Sequence, residues 1–175
     1  MVLVAILGKS GCGKSTTEAS LEKIGYNRII SYTTRKIRDG EVNHREYHFI
    51  NENQFQKLID MGIMVEWATY NGNLYGSPKP VGNEKNVIVV EPDGLAKLVE
   101  LYGRQVVSVY IDTPNEVIED RLNKRNNTTD RGSRKIEDNS KFDGIEDKVD
   151  IIVDGRKPTS AIVIDILNEI MTRGN

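Results

Sequence analysis

Residues 6–16, ILGKSGCGKST, constrain the fold of this 175-residue chain more than any other stretch. They contain the spacing Gly-x-x-x-x-Gly-Lys-Ser from Gly8 to Ser15, directly after an apolar run at residues 2–7. Glycines at these places let backbone N–H groups converge on phosphate oxygens, and a following helix adds the positive end of its dipole. The pattern therefore predicts a phosphate-binding loop between a buried strand and a helix.

The polar positions of this loop have predicted roles. Lys14 would reach the β- and γ-phosphates of a nucleotide, the Ser15 hydroxyl would ligate Mg²⁺, and Thr16 would contact the α-phosphate. Cys12, the only cysteine, is interpreted as a small residue that fits the loop rather than as a redox or covalent site. A glycine-rich turn without a ligand is the alternative, and the strand-to-helix placement argues against it. The predicted phosphate-binding residues are Gly8, Ser10, Gly11, Cys12, Gly13, Lys14, Ser15 and Thr16.

Apolar, β-branched runs recur along the chain and alternate with helical patterns. Residues 2–7, 86–91, 105–112 and 149–154 are predicted strands, and their nearly continuous apolar character fits parallel strands covered on both faces. The predicted helices are residues 14–24, 52–60, 92–102, 114–125 and 159–173. This order predicts an α/β domain with a mainly parallel sheet flanked by helices.

Two helix starts carry capping patterns. Asn51 precedes the second predicted helix with Gln54 three residues on, which is typical of a capping box. Thr113 is the predicted cap of the fourth helix, with Pro114 at its first position.

Composition excludes several classes of protein. Hydrophobic residues make up 38% and charged residues 29%, the balance of an ordinary compact domain. A formal net charge of −2 argues against a broad basic face that coats nucleic acid. The apolar start ends at Gly8 and Lys9, lacks a basic region before it, and is far shorter than the ~20 residues of a membrane-spanning helix. We therefore expect a cytoplasmic protein without membrane or nucleic-acid partners.

Two regions interrupt the alternation of strands and helices. Residues 31–82 contain the strand-like pieces YHFI and MVEWATY around a helix, and are predicted to form a substrate lobe. Residues 126–142 are polar, carry both charge signs and resemble a lid. We expect a single domain with its core at residues 1–30, 83–125 and 143–175, a lobe at 31–82 and a lid at 126–142.

Residues 31–41, SYTTRKIRDGE, predict a second phosphate site. Arg35 and Arg38 lie three apart and are flanked by serine and threonine, and guanidinium groups bind a compact phosphate through paired, charge-assisted hydrogen bonds. Tyr47, Tyr75 and Ser77 would add hydroxyl donors. A solvated charged loop is an equal alternative for this stretch by itself. A P-loop is compatible with a GTPase, an ATPase motor or a small-molecule kinase, and a second phosphate site favours the kinase.

The chain resembles the guanylate kinases, P-loop enzymes that phosphorylate GMP with ATP. The P-loop, SYTTRKIRDGE with YHFI, VEWATYNGNLYGS and RLNKR occur in the family's order and at its spacing, and together they cover most of the chain. The P-loop occurs in many families, whereas the two middle stretches are specific to this one. The resemblance implies a P-loop nucleoside monophosphate kinase fold, in which a small mixed-sheet lobe binds the monophosphate beside a short lid.

The resemblance also implies an acceptor site. Glu66 would accept hydrogen bonds from guanine N1–H and N2–H₂, a donor pair that adenine lacks. Ser77 would lie near the base or the acceptor phosphate, and Glu91 would hold the base or order water around Mg²⁺. The implied GMP-binding residues are Ser31, Arg35, Arg38, Tyr47, Glu66, Tyr75, Ser77 and Glu91.

Arginines near the predicted lid complete the implied catalytic set. Arg121 and Arg125 match arginines that the family uses there, and they would neutralise charge on the transferring phosphoryl group together with Lys14. A further lid arginine is expected, with Arg134 as the first choice and Arg131 as the second. Surface salt bridging is the alternative for all of these arginines.

Three departures from the family pattern bear on the acceptor. The usual pair of aspartates after the second core strand is replaced by Val89 and Glu91, which leaves one carboxylate with a longer reach. His44 stands where a glycine is usual, and Lys9 where a proline is common. We assign His44 no role at this point.

Other functions remain open from the sequence. The departures resemble those of phage-type deoxynucleoside monophosphate kinases, so dGMP or a wider set of acceptors is an alternative. A non-catalytic protein-binding module would have the same fold, but such modules tend to lose the lysine that is kept here as Lys14. A GTPase would need an Asn-Lys-x-Asp motif, which the sequence lacks. Asp112 and Asp154 are interpreted as structural residues. The expected reaction uses ATP, GMP or dGMP, and Mg²⁺.

Overall fold

The computed structural model describes residues 1–82, 84–124 and 140–173. Its strands are β1 (Val2–Leu7), β2 (Asn27–Arg28), β3 (Tyr32–Thr33), β4 (His48–Phe49), β5 (Met64–Tyr70), β6 (Asn73–Pro78), β7 (Lys85–Val89), β8 (Val106–Asp112) and β9 (Ile151–Asp154). Its longer helices are α1 (Lys14–Lys23), α2 (Glu52–Asp60), α3 (Pro92–Tyr102), α4 (Asn115–Lys124) and α5 (Thr159–Arg173).

The core of the described chain is a five-stranded sheet in the order β2-β7-β1-β8-β9. Every pair of neighbours in this sheet is parallel, as the sequence predicts. β1 lies at its centre between β7 and β8, so the loop that follows β1 emerges at the middle of the sheet's carboxyl edge. Ligands of open parallel sheets bind at this edge.

Both faces of the core sheet are covered, which explains why β1 is apolar at every position. Leu3 and Leu7 point to one face with Leu98 of α3. Ile6 points to the other face, where it joins a cluster with Leu21 of α1 and Ile166 of α5. All of these side chains have 0% exposure. A strand buried on both sides cannot alternate between apolar and polar residues.

A second sheet lies within the region predicted as the substrate lobe. Its order is β4-β3-β6-β5, with a parallel β3–β4 pair and antiparallel pairs elsewhere, so it is mixed as expected. α2 begins with the predicted capping box, since Asn51 and Gln54 exchange hydrogen bonds of 2.9 and 3.0 Å. Phe55 of α2 is fully buried against Gly76 of β6. This region therefore contains its own helix and sheet.

The predicted bounds agree with the structure for β1, β5, α2, α3 and α5, and the other predicted elements begin or end one or two residues away. The short strands β2 and β3, and β6 with its glycine and proline, were not predicted. Residues 125–139, with most of the predicted lid, and residues 174–175 lie outside the described residues, as does Asn83. Phe142, the last residue of the predicted lid, is buried and stacks on Tyr110 of β8.

The predicted cap of α4 is wrong. The helix begins at Asn115, and the Pro114 carbonyl accepts from the Ile118 N–H at 3.1 Å, which places Pro114 in the cap position. Thr113 is buried, and its hydroxyl donates to the Cys12 carbonyl at 3.3 Å. Thr113 thus joins the end of β8 to the P-loop, a contact between residues distant in sequence that local patterns cannot indicate.

No helix in residues 1–82, 84–124 and 140–173 combines the length and apolarity that crossing a lipid bilayer requires.

Candidate active site

The loop after β1 has the backbone of a phosphate-binding loop. Gly8, Gly11 and Gly13 have φ angles of 148°, 87° and 118°, which side chains disfavour. Gly8 also has no room for a side chain, because a Cβ atom there would lie 2.6 Å from the Cys12 Sγ atom and 2.9 Å from the Ile111 carbonyl. The glycines that the sequence places here are therefore required by the path of the loop.

Lys14 and Ser15 occupy the first turn of α1, directly after Gly13. The Lys14 ammonium group donates to the carbonyl oxygens of Gly8 and Lys9, the latter at 3.0 Å, so it lies across the loop that it follows. The Ser15 and Thr16 side chains are exposed at the same helix start. Phosphate bound in this loop would meet the helix N-terminus and the ammonium group together.

Cys12 packs inside the loop. It is 1% exposed, and burial raises the pKa of its thiol against the opposing charge of Lys14. A buried thiol with a raised pKa has little thiolate for redox or nucleophilic chemistry. This environment fits the interpretation of Cys12 as a small packing residue.

Arg121 of α4 is fixed to the P-loop. Its guanidinium group donates to the Cys12 carbonyl at 2.9 Å and to the Gly155 carbonyl at 2.7 Å. It borders a cleft of about 310 Å³ that is also lined by Gly13, Lys157 and Thr159. Arg121 thus binds the protein's own carbonyl groups beside the P-loop, in place of the surface salt bridge that was the alternative. The predicted catalytic residues Arg125, Arg131 and Arg134 lie outside the described residues.

Arg35 lies in the predicted second phosphate site and is held by Glu41. Two parallel hydrogen bonds of 2.9 and 2.8 Å join its guanidinium group to the carboxylate, and the side chains are only 11% and 19% exposed. Glu41 also accepts from the backbone N–H of Arg38 at 2.8 Å. Although burial acts in the opposite direction, these bonds from Arg35 and Arg38 lower the pKa of Glu41 below its ordinary value. An ionised Glu41 therefore holds Arg35 in place while the Arg38 side chain remains exposed.

Tyr47 and Tyr75 lie beside Arg35. Their rings meet edge to face with centroids 6.0 Å apart, and the Arg35 guanidinium carbon lies 5.6 Å from the Tyr47 ring centroid. The structure brings these residues together as the sequence predicts. The result is a cationic group beside two phenol rings, and guanidinium and phenol groups are suitable donors to phosphate oxygens.

Glu66, Ser77 and Ser31 form a neighbouring polar group. Glu66 and Ser77 are paired across β5 and β6, and the Ser77 hydroxyl oxygen lies 3.2 Å from that of Ser31. Burial raises the pKa of Glu66, against hydrogen bonds from Ser77 and the positive charge of Lys97. A largely desolvated carboxylate forms strong hydrogen bonds with N–H donors, because water does not compete for it.

Glu91 is a second carboxylate near Glu66. It is exposed at the N-cap of α3, and its negative charge raises the pKa of Glu66. Sequence reasoning missed three residues nearby: Glu41, Gly94 and Lys97. Gly94 lies against Glu66, and the Lys97 ammonium group lies 5.1 Å from the ring centroid of Trp67. Of these three residues, only Glu41 could have been identified from the sequence, because it is an acidic residue in a basic loop.

Comparisons with known proteins agree on a family. A sequence model described as "Guanylate kinase" matches residues 1–157. A guanylate kinase of Wolbachia pipientis wMel is 34% identical over 163 residues, which is 87% of this chain and 81% of that protein.

Solved structures show the fold. A guanylate kinase from Anaplasma phagocytophilum superimposes with a TM-score of 0.74 at 21% identity, covering 98% of this chain and 85% of that one. A gluconokinase from Sinorhizobium meliloti 1021 matches with a TM-score of 0.59 at 17% identity, covering 98% and 92%. Since a sugar kinase shares the fold, the fold alone does not identify the acceptor.

Proposed function

Because the chain belongs to the guanylate kinase family, we propose that it transfers the γ-phosphoryl group of ATP to the phosphate of GMP or dGMP. The products are ADP and GDP or dGDP. The observation that supports the proposal is that two separate groups of residues, the P-loop and the Arg35–Tyr47 cluster, have geometries suited to phosphate, with Glu66 near the second. A phosphotransferase between nucleotides needs one receptor for each substrate.

The donor half of the site suits ATP. The P-loop and the α1 N-terminus would bind the phosphates, with Lys14 reaching the β- and γ-phosphates. The cleft of about 310 Å³ bordered by Arg121 is open beside the loop, and we assign it to the adenine base. Because Arg121 is tied to the Cys12 and Gly155 carbonyls, its charge would act from a fixed place rather than from a moving lid.

Mg²⁺ fits the residues of the donor half. No group of three or more histidine, cysteine or acidic side chains in residues 1–82, 84–124 and 140–173 could hold a metal ion, so most ligands would come from phosphates and water. That is the usual coordination of Mg²⁺ at nucleotide sites, with the exposed Ser15 hydroxyl as a protein ligand. When bound, Mg²⁺ neutralises charge on the phosphates.

The acceptor half suits a purine monophosphate with two N–H donors. Arg35, Tyr47 and Tyr75 would bind its phosphate, with Ser31 and Arg38 at the edge. Glu66, held by Ser77, would accept from guanine N1–H and N2–H₂. Adenine presents an acceptor at N1 and no N2 amine, so it would leave Glu66 without partners.

The chain's own residues would act mainly by positioning. The two receptors would hold the acceptor phosphate in line with the γ-phosphorus atom, while Lys14 and the arginines near the lid neutralise the developing charge. Closure of the lobe and lid would exclude water, which would otherwise hydrolyse ATP. The roles of individual residues, the domain boundaries and the cytoplasmic location stay predictions.

A wider deoxynucleotide range is the second candidate, favoured by Val89 and Glu91 in place of two aspartates. An ADP-release assay with Mg·ATP and GMP, dGMP, AMP, CMP, UMP or dTMP tests both. We expect turnover confined to GMP and dGMP. Turnover with dTMP as well as dGMP would favour the second candidate. Folded protein that binds ATP but phosphorylates none of these acceptors would contradict the kinase and favour the protein-binding module.

A further inference from the structure

The turn between Asn43 and Phe49 holds both histidines of the chain. His44 has a φ angle of 68°, in the left-handed region where a glycine would be free of strain. Its ring Nδ1 atom lies 2.7 Å from the Nδ1 atom of His48, the first residue of β4. His44 thus combines a strained backbone with a close contact to the only other histidine, and such strain is often retained where a residue has a function.

The hydrogen bonds of Asn43 determine which nitrogen of each ring carries a proton. Its side-chain oxygen accepts from the backbone N–H groups of His44 at 3.0 Å and Phe49 at 2.9 Å. Its amide nitrogen therefore faces His44 Nε2, at 3.2 Å, as a donor. His44 must then accept at Nε2 and carry its proton on Nδ1, which donates to His48 Nδ1, leaving the His48 proton on Nε2. The three side chains form a directed chain, Asn43 to His44 to His48.

This chain of hydrogen bonds lies in the turn that contains Tyr47. The His44 backbone N–H also lies 2.9 Å from the Tyr47 carbonyl oxygen, so the turn closes around the tyrosine. The His48 ring packs on Tyr32 of β3 with centroids 4.5 Å apart, which anchors the far end of the turn to the lobe sheet. The Tyr47 ring in turn lies against Tyr75 and Arg35. The shape of the turn therefore decides where the Tyr47 hydroxyl lies.

We propose that His44 and His48 are positioning residues for the acceptor phosphate, acting through Tyr47, in a chain of hydrogen bonds that forms only while both rings are neutral. The inference rests on the proposed function. A proton added to His48 Nδ1 would set two N–H donors against each other, and a proton added to His44 Nε2 would do the same with Asn43. Acidification therefore opens the turn and weakens acceptor binding.

The surroundings of His48 set the pH range. The titratable groups facing it in the described lobe are His44 from the turn and the Tyr32 phenol from β3. Arg45 and Glu46 lie in the same turn, where they pair at 3.6 Å and Glu46 also accepts from the Val42 N–H. Burial, together with the charge of His44, lowers the pKa of His48 from its ordinary 6.5. The lowered pKa keeps His48 neutral at neutral pH, so the protonation of His48 that breaks the hydrogen-bond chain occurs below its ordinary 6.5.

Two substitutions should break the chain of hydrogen bonds while keeping the fold. His44→Gly suits the left-handed backbone, and His48→Phe keeps an aromatic ring on Tyr32 without the acceptor nitrogen. At pH 7.5 we expect each to raise KM for GMP roughly threefold to tenfold, the effect of one net hydrogen bond, with kcat within about twofold of wild type. Arg45→Gln, an exposed change in the same turn, is the control and should leave KM unchanged. The double variant should resemble either single variant, because both remove one chain.

Measurements across pH separate positioning from a general structural effect. Between pH 7.5 and 5.5 the wild-type KM should rise towards that of the variants, because the wild-type chain is lost by protonation. The ionisation of GMP itself is common to all proteins and cancels in the ratio. A ratio of variant to wild-type KM that stays constant over this range would overturn the proposal.

The tautomers can be observed directly, since the chain has two histidines. Imidazole ¹⁵N spectra of the wild type at pH 7.5 should show the Nδ1–H form for His44 and the Nε2–H form for His48, with His48→Phe providing the assignment. Other tautomers, or an unchanged KM in both variants of an enzyme active on GMP, would overturn the positioning role alone. A wild type without turnover of any monophosphate would instead overturn the proposed function, and the positioning role with it.

Discussion

Gly94 in α3 lies directly against Glu66 in β5, because a Cβ atom on Gly94 would come within 3.2 Å of Glu66 Cγ and 3.3 Å of Cδ. Contacts of that length are shorter than the optimum for carbon atoms. The absence of a side chain on Gly94 therefore sets where the predicted guanine-reading carboxylate lies. We therefore predict that acceptor preference depends on both residues.

Gly94→Ala should separate stability from acceptor binding. Alanine favours a helix over glycine by up to about 1 kcal/mol, but its methyl group would also lie 3.3 Å from the Val90 Cβ atom, so we expect thermal stability to change little. The new methyl group would displace Glu66 by a few tenths of an ångström and raise KM for GMP roughly threefold to tenfold, the loss of about one hydrogen bond. Melting temperature and KM, measured together, check this. Ala96→Gly, at an exposed position of α3, is the converse control: it should lower stability and leave KM unchanged.

Glu66→Gln should weaken recognition of guanine while keeping the shape of the side chain. The substitution replaces one carboxylate oxygen by an amide NH₂ group and removes the negative charge from the remaining oxygen. Charge-assisted hydrogen bonds contribute about 1.5–3 kcal/mol. We therefore expect kcat/KM for GMP to fall roughly 10- to 150-fold. IMP, which lacks the N2 amine, should lose less, so the preference for GMP over IMP should shrink. Glu52→Gln, exposed at the start of α2, is the control. An unaltered GMP/IMP ratio would argue that another group reads the base.

Glu41→Gln should loosen Arg35. The paired bonds to Arg35 and the bond from the Arg38 N–H all end on this carboxylate. Loss of its charge should raise KM for GMP about tenfold or more and leave KM for ATP unchanged. Steady-state kinetics with each substrate varied check the result. Asp39→Asn makes the same change of charge in the same loop, and an equal effect from it would show that the loop's overall charge is responsible.

Lys14→Met should abolish most phosphoryl transfer, whereas Lys9→Met should not. The Lys14 ammonium group lies across the P-loop, and removing a charge-stabilising donor from a transition state costs roughly 10²- to 10³-fold in rate. Lys9 contributes its backbone carbonyl, which the substitution keeps. Single-turnover rates with bound ATP and GMP distinguish the two. Similar losses in both variants would indicate that the loop needs positive charge in general.

Glu18→Gln should change how stability depends on pH. Glu18 of α1 is buried beside Arg28, 2.8 Å from its Nε atom, and burial raises the pKa of Glu18 to about 7 despite the arginine. The unfolded chain releases this proton near the ordinary 4.5, so the folded state holds the extra proton between those values and the stability from Glu18 is lost as pH rises through 7. Relative to wild type, Glu18→Gln should gain about 2–3 kcal/mol of unfolding free energy between pH 5 and 8. Urea titrations check this, and a difference independent of pH would contradict the raised pKa.

Local patterns predicted the elements whose determinants lie close together in sequence. β1 could be predicted because burial on both faces leaves a continuous apolar run. α2 could be predicted to the residue because Asn51 and Gln54 cap it through their own side chains. β2 and β3, with two residues each, depend on partners far away in sequence and carry no periodic pattern.

The residues of the candidate site likewise divide into those set by local sequence and those set by contacts between distant segments. The P-loop is a local motif, and its glycines have the backbone angles that the motif requires. The choice of Glu41 as partner for Arg35, and the space that Gly94 leaves for Glu66, arise only when separate segments meet. His44 illustrates both cases: its positive φ agrees with the sequence expectation of a glycine at this position, whereas its contact with His48 depends on the closed turn.

The carbonyl group of Cys12 is bound by Thr113 and Arg121, which lie 101 and 109 positions further along the chain, and Arg121 is bound in turn to Gly155. The P-loop is translated well before the groups that hold it. Since bacterial and other ribosomes add about 5–20 residues per second, several seconds separate the two. A nascent chain would therefore complete its predicted nucleotide site only after Gly155 has been made, and ribosome-bound chains that stop before Gly155 should fail to retain ATP.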